Sequence, residues 1–592
     1  MNMRQNVFDL TGPMPAKTVG SRMPTSLKAF RRRGVTSVMV LLMMFVALTV
    51  MLSLAGMSMG SIKRSSNEKN SMLALNVAQT TLEYEVANAY ERAKLNNGDF
   101  EYVFTDHTVL AQSLTPGALA VTFVEPQGNG SFAWVTSYSL HNNKLRSVRH
   151  LVKSHDVSIW NNAVFAGTGA QGNAINGNVD IRGSIHILGE GEPYSDLNGN
   201  GQWDDAEVFQ DDNGNGVWDP GEPWVDTNND GVWNSAEPFN DTNWNGVYDP
   251  PITTTELSSS FAGSALIGNN YSGMPLELEN MVPPPPIING QETLEAEVRV
   301  KHGQISLNGT ATVGQDFDPD GGTSKGQIDG SFVNDGYTGN QGSSSVYSDN
   351  GFNQGYDLNN LDISFPFING IGAEPYIDQN NVAWSTQELF LDTNSMTVPV
   401  NEITNSTSAF DYSDLQGNRM AFIPKNQVSP VDGSVSANDR MYLNGIIKID
   451  GDLTFTKKLG ELRYSGNGTI YATGDINVST NLLPAAGLTF PTDTTLGLIA
   501  ERDMNLAMGP GDSQLSMAGA FYAQGTVRSK KQNQIAGTFV ANYFDMGNNV
   551  PNIYQVPALV NNMPPGMPGN ERFFTLKVRS WRERKFNFVF GS

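Results

Sequence analysis

Between Val35 and Met59 the chain runs VTSVMVLLMMFVALTVMLSLAGMSM without a single charge. At about 1.5 Å per residue this stretch makes roughly 37 Å of helix, enough to cross a hydrocarbon core of about 30 Å. From Ser61 the pattern changes. Met72, Leu75, Ala78, Leu82, Val86, Ala89 and Ala93 recur at intervals of three and four among good helix formers, with no proline before Lys94. That spacing predicts that the apolar helix continues as an amphipathic one, giving one rod over residues 35 to 94 of about 90 Å. Beyond it the period falls to two. ALAVTFVE (118 to 125), SFAWVTSYSL (131 to 140) and LRSVRHLVK (145 to 153) alternate between turn signals such as PQGNG. They predict a three-stranded meander packed on the helix, within residues 95 to 158.

Further along, two short strands repeat around a Gly-Asp or Gly-Ser corner. GNVDIRGSIHI (177 to 187), GIIKIDGDLTF (445 to 455) and GTIYATGDINV (468 to 478) align without a gap. GLIAERDMNL (497 to 506), GAFYAQGTV (519 to 527) and GTFVANYFDM (537 to 546) follow less strictly. With Ile449, Ala472, Ala500, Ala523 and Ala541 as equivalent points, the steps are 23, 28, 23 and 18 residues. A step of that size fits one rung of a parallel β-solenoid, whose rungs bury their apolar faces only by stacking. An antiparallel sandwich is the competing reading, because it too is built from short strands and Gly turns. The predicted solenoid begins at residues 159 to 189 and is completed by residues 441 to 556. Residues 253 to 440 read as a β-rich insertion of unclear fold, with a polyproline connector PPPP at 283 to 286. Residues 557 to 592, basic and aromatic, read as a C-terminal cap strand on the last rung.

Charge and composition narrow the location and the partners. The 592 residues carry a net charge of -23, which argues against nucleic acid as a partner, and there is no cysteine for disulfides or thiolate chemistry. Arg31, Arg32 and Arg33 precede the apolar run. The positive-inside rule then leaves residues 1 to 33 in the cytoplasm and places the large remainder outside, as a single-pass inner-membrane protein with its C-terminus outside. A secretory signal is the rival, but its apolar core should be only about 7 to 15 residues long.

The segment RRRGVTSVMVLLMMFVALTVMLSLAGMSMGSIKRSSNEKNSMLALNVAQTTLEYEVANAY resembles the N-terminal domain of PilX-type minor pilins of type IV pili. The resemblance implies a basic leader at residues 1 to 34, removed by a prepilin peptidase after Gly34 so that Val35 becomes the methylated N-terminus. It further implies that the helix packs among other pilins or minor pilins in the inner membrane or a pilus at the cell surface. Major pilins carry Glu five residues into the mature chain, where this sequence has Met39. That departure favours a priming or tip-located subunit over a repeated shaft subunit. The fold class is therefore mainly β with a long N-terminal α-helix: a pilin-like helix plus small sheet, then a parallel β-solenoid interrupted by a calcium-loop insertion.

That insertion, residues 190 to 252, repeats every 15 residues as DLNGNGQWDDAE, DDNGNGVWDPGE, DTNNDGVWNSAE and DTNWNGVYDPPI. The ligand order is that of the twelve-residue EF-hand loop: oxygen side chains at the first, third and fifth places, Gly at the sixth, a carbonyl at the seventh, an oxygen at the ninth and a closing Glu. The first loop supplies Asp196, Asn198, Asn200, Gln202, Asp204 and Glu207. The second supplies Asp211, Asn213, Asn215, Val217, Asp219 and Glu222, and the third Asp226, Asn228, Asp230, Val232, Asn234 and Glu237. The fourth has Asp241, Asn243, Asn245, Val247 and Asp249, but Ile252 stands where the closing carboxylate should be. Only three residues separate successive loops, too few for flanking helices, so the array is similar to the tandem calcium repeats of thrombospondin type 3 and dockerin-like modules.

Trp203, Trp218, Trp233 and Tyr248 recur at the eighth place, and Tyr194, Phe209, Trp224 and Phe239 lie two residues past each closing position. Successive loops are expected to stack these rings into an apolar spine. Fifteen Asp/Glu and no Lys or Arg between residues 190 and 252 call for cations, and the many Asn ligands suggest weak sites of roughly 10⁻⁴ to 10⁻³ M. DFDPDGG (316 to 322) is a further candidate for Ca²⁺.

No catalytic group stands out. The six His lack zincin spacing, and Asp452 and Asp475 at Gly corners read as turn residues. The sequence thus points to a calcium-binding, non-enzymatic, pilin-like surface protein acting in pilus assembly or adhesion, with a surface or carbohydrate ligand. The alternative is a membrane-anchored β-solenoid that is carbohydrate-active or wall-binding.

Overall fold

The computed structural model describes all residues except 1–34, 129, 171–177, 227–230, 252–262, 289, 317–322, 353, 547–550 and 586–592. One helix, α1 (Val35–Leu95), spans 61 residues. Among the described residues it alone is long and apolar enough to cross a membrane. Among the described residues its first half is exposed throughout, whereas Ala78, Leu82, Ala89 and Ala93 are buried against the sheet that follows. Met72, expected on the packed face, is 64% exposed: around it the helix meets the sheet only through polar contacts, Ser71 with Arg146 and Asn70 with Asn142, and apolar burial begins at Ala74. Thr81 on α1 hydrogen-bonds the Ser137 hydroxyl at 2.8 Å, and the buried Glu85 accepts from Arg92 at 2.6 Å.

The head sheet is antiparallel and has five strands, not three. β1 (Val103–Asp106), β2 (Leu119–Gln127), β3 (Phe132–His141) and β4 (Lys144–Asp156) lie in sequence order, and the C-terminal strand Phe574–Lys585 runs beside β4. Leu576 pairs with Ser154 and Val578 with Val152. The expectation of a cap on the last rung is therefore corrected. The alternating FTLKV buries Phe574 and packs Leu576 on the head core, and its pairing satisfies an edge of β4 that would otherwise stand open. Everything between β4 and this last strand is thus an insertion into the head sheet.

The insertion contains one parallel β-solenoid, which excludes the sandwich reading. Ile449 pairs with Ala472, Ala472 with Ala500, Ala500 with Ala523 and Ala523 with Ala541, as the rung spacing predicted. The ladder does not stop there. Ala541 pairs with Ala166 on β5 (Val164–Ala170), Ala166 with Ile187, and on through Val300 to Val333. The first rungs of the chain therefore stack on its last ones, and the region of unclear fold supplies rungs at both ends, at 297–300 and 330–333 and again at 395–403. One alignment was out of phase. Ile185–Ile187 lies on the face of Ile447 and Ile470, while Asp180–Arg182 lies on the face of Ile553. The two corners of this rung are spaced differently, so the linear motif matched the wrong face.

Inside, Phe521 stacks on Phe539 with centroids 4.8 Å apart, next to a rung contact so close that a Cβ on Gly537 would meet the Gly519 carbonyl oxygen at 1.8 Å. Head and solenoid meet through buried charge. Glu297 accepts from Arg299, from Lys577 on the C-terminal strand and from His155 Nε2 of β4 at 3.0 Å, while Arg299 Nε also reaches Asp357 at 2.8 Å. Lys153 pairs with Glu295 across the same junction. Such an interface contributes orientation more than raw stability, since desolvation offsets much of the Coulombic gain.

Candidate functional site

The first, second and fourth of the 15-residue loops fold by the same local rule, and in the third Asp226 accepts from Gly231 N. Asp196 accepts from the backbone N–H groups of Gly199, Asn200 and Gly201, which holds its carboxyl below the usual range, and Asp211 repeats this in the second loop. Asn198 and Asn200 both donate to Asp204 Oδ2, at 2.7 and 2.6 Å, so the third, fifth and ninth places lie within reach of one another. Asn213 and Asn215 do the same to Asp219, and Asn243 and Asn245 to Asp249. Gly201, Gly216, Gly231 and Gly246 have φ between +75° and +77°, a region that disfavours any side chain. In the third loop, Asn228 and Asp230 lie outside the described residues, as do Gly34, Ile252 and most of DFDPDGG.

The order in which the loops assemble was not legible from the repeat. The array is a nested hairpin: Phe209 bridges antiparallel to Trp224, and Tyr194 to Phe239. The second loop sits at its tip, the first and third face each other, and the fourth lies at the root. The rings stack accordingly. Trp218 lies on Trp233 at 5.2 Å, which joins the successive second and third loops as expected, but Trp203 lies on Tyr248 at 4.6 Å, so the first loop stacks on the fourth and not on the second.

The glutamates follow the same nesting. Glu222 accepts from Asp212 N and Asp219 N of its own loop at 3.0 and 2.9 Å. Glu237, which ends the third loop, accepts instead from Leu197 N and Asp204 N of the first, at 2.7 and 3.3 Å. Glu207, which ends the first, accepts from Asn234 N of the third at 3.1 Å. Glu192 accepts from Thr242 N and Asp249 N of the fourth loop, at 2.7 and 3.2 Å. Sequence reasoning missed Glu192, although the signal was present: 192, 207, 222 and 237 keep the 15-residue period.

These carboxylates are inside the array, Glu192 at 2%, Glu237 at 4% and Glu222 at 9% exposure, and burial raises the Glu192 pKa above the ordinary value. Among the described residues, no Lys or Arg pairs with any of these three. No group of three or more His, Cys, Asp or Glu is gathered as a ligand set among the described residues. The first, second and fourth loops instead each offer two Asp, Asn amides, a backbone carbonyl and a buried Glu, an all-oxygen set that fits a hard cation such as Ca²⁺ and not a soft one.

The root is fixed to the solenoid. Asn542 accepts from Thr168 N at 2.9 Å, where the last rung meets the first, and donates to the Thr242 hydroxyl of the fourth loop at 2.6 Å. At the solenoid corner, Asp452 accepts from Asp475 N, Asp475 from Asp503 N, and Asp503 from Thr526 N, at 2.8, 3.2 and 2.7 Å. Their carboxylates cap successive rungs, the role of turn residues.

No protein-family model matches the chain, and no curated protein matches it. Among solved structures, the chain is similar to the competence-associated pilin ComZ from Thermus thermophilus, with 16% identity and a TM-score of 0.47, over 88% of this chain and 98% of that one.

Proposed function

We propose that this chain is a minor-pilin-like surface protein in which a helix anchors a calcium-stiffened β-solenoid for pilus assembly or adhesion. The observation that carries the reading is the division of α1. Its first half is apolar and bare while its second half is the spine of a small antiparallel sheet, and the solenoid is spliced into that sheet between β4 and the last strand. Two covalent connections therefore hold the solenoid to the head, as suits a module displayed under load. The bare half would pack in the inner membrane or among other pilins after cleavage at Gly34. Met39 in place of an acidic residue favours a rare subunit at a priming or tip position.

Calcium, when bound, would supply the positive charge that fifteen Asp/Glu lack within residues 190 to 252. Asp, Asn and Glu side chains of each loop would hold it, and the stacked rings would keep the loops in register. Mass spectrometry of protein from native membranes tests the pilin part: the mature chain begins at a methylated Val35, and an intact or differently cut N-terminus refutes it. Calorimetric titration of the full chain in detergent tests the metal part, and no heat at millimolar Ca²⁺ refutes it.

A further inference from the structure

We infer that the closing carboxylates are exchanged between loops: Glu237 serves the first loop, Glu207 the third, Glu192 the fourth, and only Glu222 its own. This rests on the calcium reading above and deepens it. In an EF-hand-like loop the twelfth residue closes the site it follows. Here one geometric signature marks which loop each Glu serves, and it occurs four times. The Glu backbone N–H donates to the carbonyl of the ninth residue, at 2.9 to 3.0 Å, in the pairs Glu192 with Asp249, Glu207 with Asn234, Glu222 with Asp219 and Glu237 with Asp204. Its carboxylate meanwhile accepts from the N–H of that same ninth residue.

The indoles obey the same pairing. Trp203 Nε1 donates to the Glu237 carbonyl at 2.8 Å, Trp218 to that of Glu222 at 3.3 Å and Trp233 to that of Glu207 at 3.0 Å. Backbone, carboxylate and aromatic contacts thus agree on one assignment, and the local assignment holds at the hairpin tip alone. Two consequences follow. The fourth loop thus has a closing carboxylate from Glu192, and among the described residues the donor sets of the first, second and fourth loops are complete. The first and third loops each depend on a residue of the other, so neither is a self-contained site.

Hydrogen-exchange mass spectrometry of the full chain in detergent micelles, with and without 5 mM CaCl₂ (a concentration about five times the weakest dissociation constant of extracellular-type sites), decides the matter. In Glu207→Gln, calcium-dependent protection is lost in peptides of residues 226 to 236 and kept in residues 196 to 206. Glu237→Gln gives the reverse, and Glu192→Gln loses protection at residues 241 to 249. Glu222→Gln, with loss confined to residues 211 to 221, shows that an amide at this position leaves the array folded. Loss at residues 196 to 206 in Glu207→Gln, or equal loss in both loops, overturns the exchange while leaving calcium binding intact. A wild-type chain without calcium-dependent protection overturns the calcium reading and the exchange with it.

Discussion

Acidification should loosen the junction between head and solenoid, and the sign and size follow from one histidine. His155 is buried beside Glu297, and burial pushes its pKa from 6.5 down to about 4 despite the carboxylate. Its imidazole therefore donates to Glu297 as a neutral group. Once the junction opens, the ring takes up a proton below pH 6.5, whereas in the closed state it does so only near pH 4. The open state binds more protons throughout that window, so stability present above pH 6.5 is lost as pH falls toward 4.

At about 1.4 kcal/mol per pKa unit, the gap amounts to about 3 kcal/mol overall and about 2 kcal/mol by pH 5, roughly a 30-fold change in opening. Lys153 and Glu297 act elsewhere on the scale. Burial lowers Lys153 to about 8, so its contribution changes only above that pH. Burial opposes ionisation of Glu297, yet Arg299, His155 and Lys577 hold its pKa well below the usual range, so it matters only under about pH 4.5. His186, lowered by burial and by Arg299, adds slope of the same sign. Hydrogen exchange of peptides covering residues 150 to 156, 295 to 301 and 574 to 580, at pH 7 and 5 and corrected for intrinsic rates, measures the opening. The wild type should open roughly 30-fold more at pH 5, and His155→Gln should flatten the response. An equal response in the two proteins refutes the reasoning.

Other perturbations give equally definite expectations. Phe539→Ala removes a fully buried ring stacked on Phe521 where the two arcs of the solenoid join; denaturant unfolding should register a loss of about 3 to 5 kcal/mol. Asn542→Ala leaves Thr168 N and the Thr242 hydroxyl without their shared partner, so the same measurement should show about 1 to 3 kcal/mol, with faster exchange at residues 241 to 249. Removing the chain beyond Asn570 opens the β4 edge and exposes the buried charges of Glu297; size-exclusion chromatography should show aggregation, and a monodisperse product would contradict the sheet order. Chelation should raise protease cutting between residues 196 and 249 while the solenoid peptides stay resistant.

Much of this architecture was written in local periodicity. Seven apolar positions at helical spacing announced α1, and the rung steps from Ile449 to Ala541 matched the observed register pair by pair. The loop signature located Asp196, Asp211 and Asp241 at turns whose backbone N–H groups they collect. That residues 159 to 189 and 441 to 556 share one solenoid was expected too, and the pairing of Ala166 with Ala541 bears it out; what escaped was which of the other distant segments meet, and in what order. The FTLKV strand alternates in a way that suits any sheet edge, and nothing in it names β4. The 15-residue repeat marks four glutamates without saying which loop each one faces.

The sequence by itself determined which residues could form a helix, a rung or an oxygen-lined turn, because those structures depend on neighbours within one turn or one repeat. Only the tertiary structure decided that the last rung receives the first, that the final strand returns to the head, and that Glu192 and Glu237 reach across the hairpin. Such pairings are chosen by shape and charge complementarity between distant surfaces, and a linear period carries no record of which surfaces will meet.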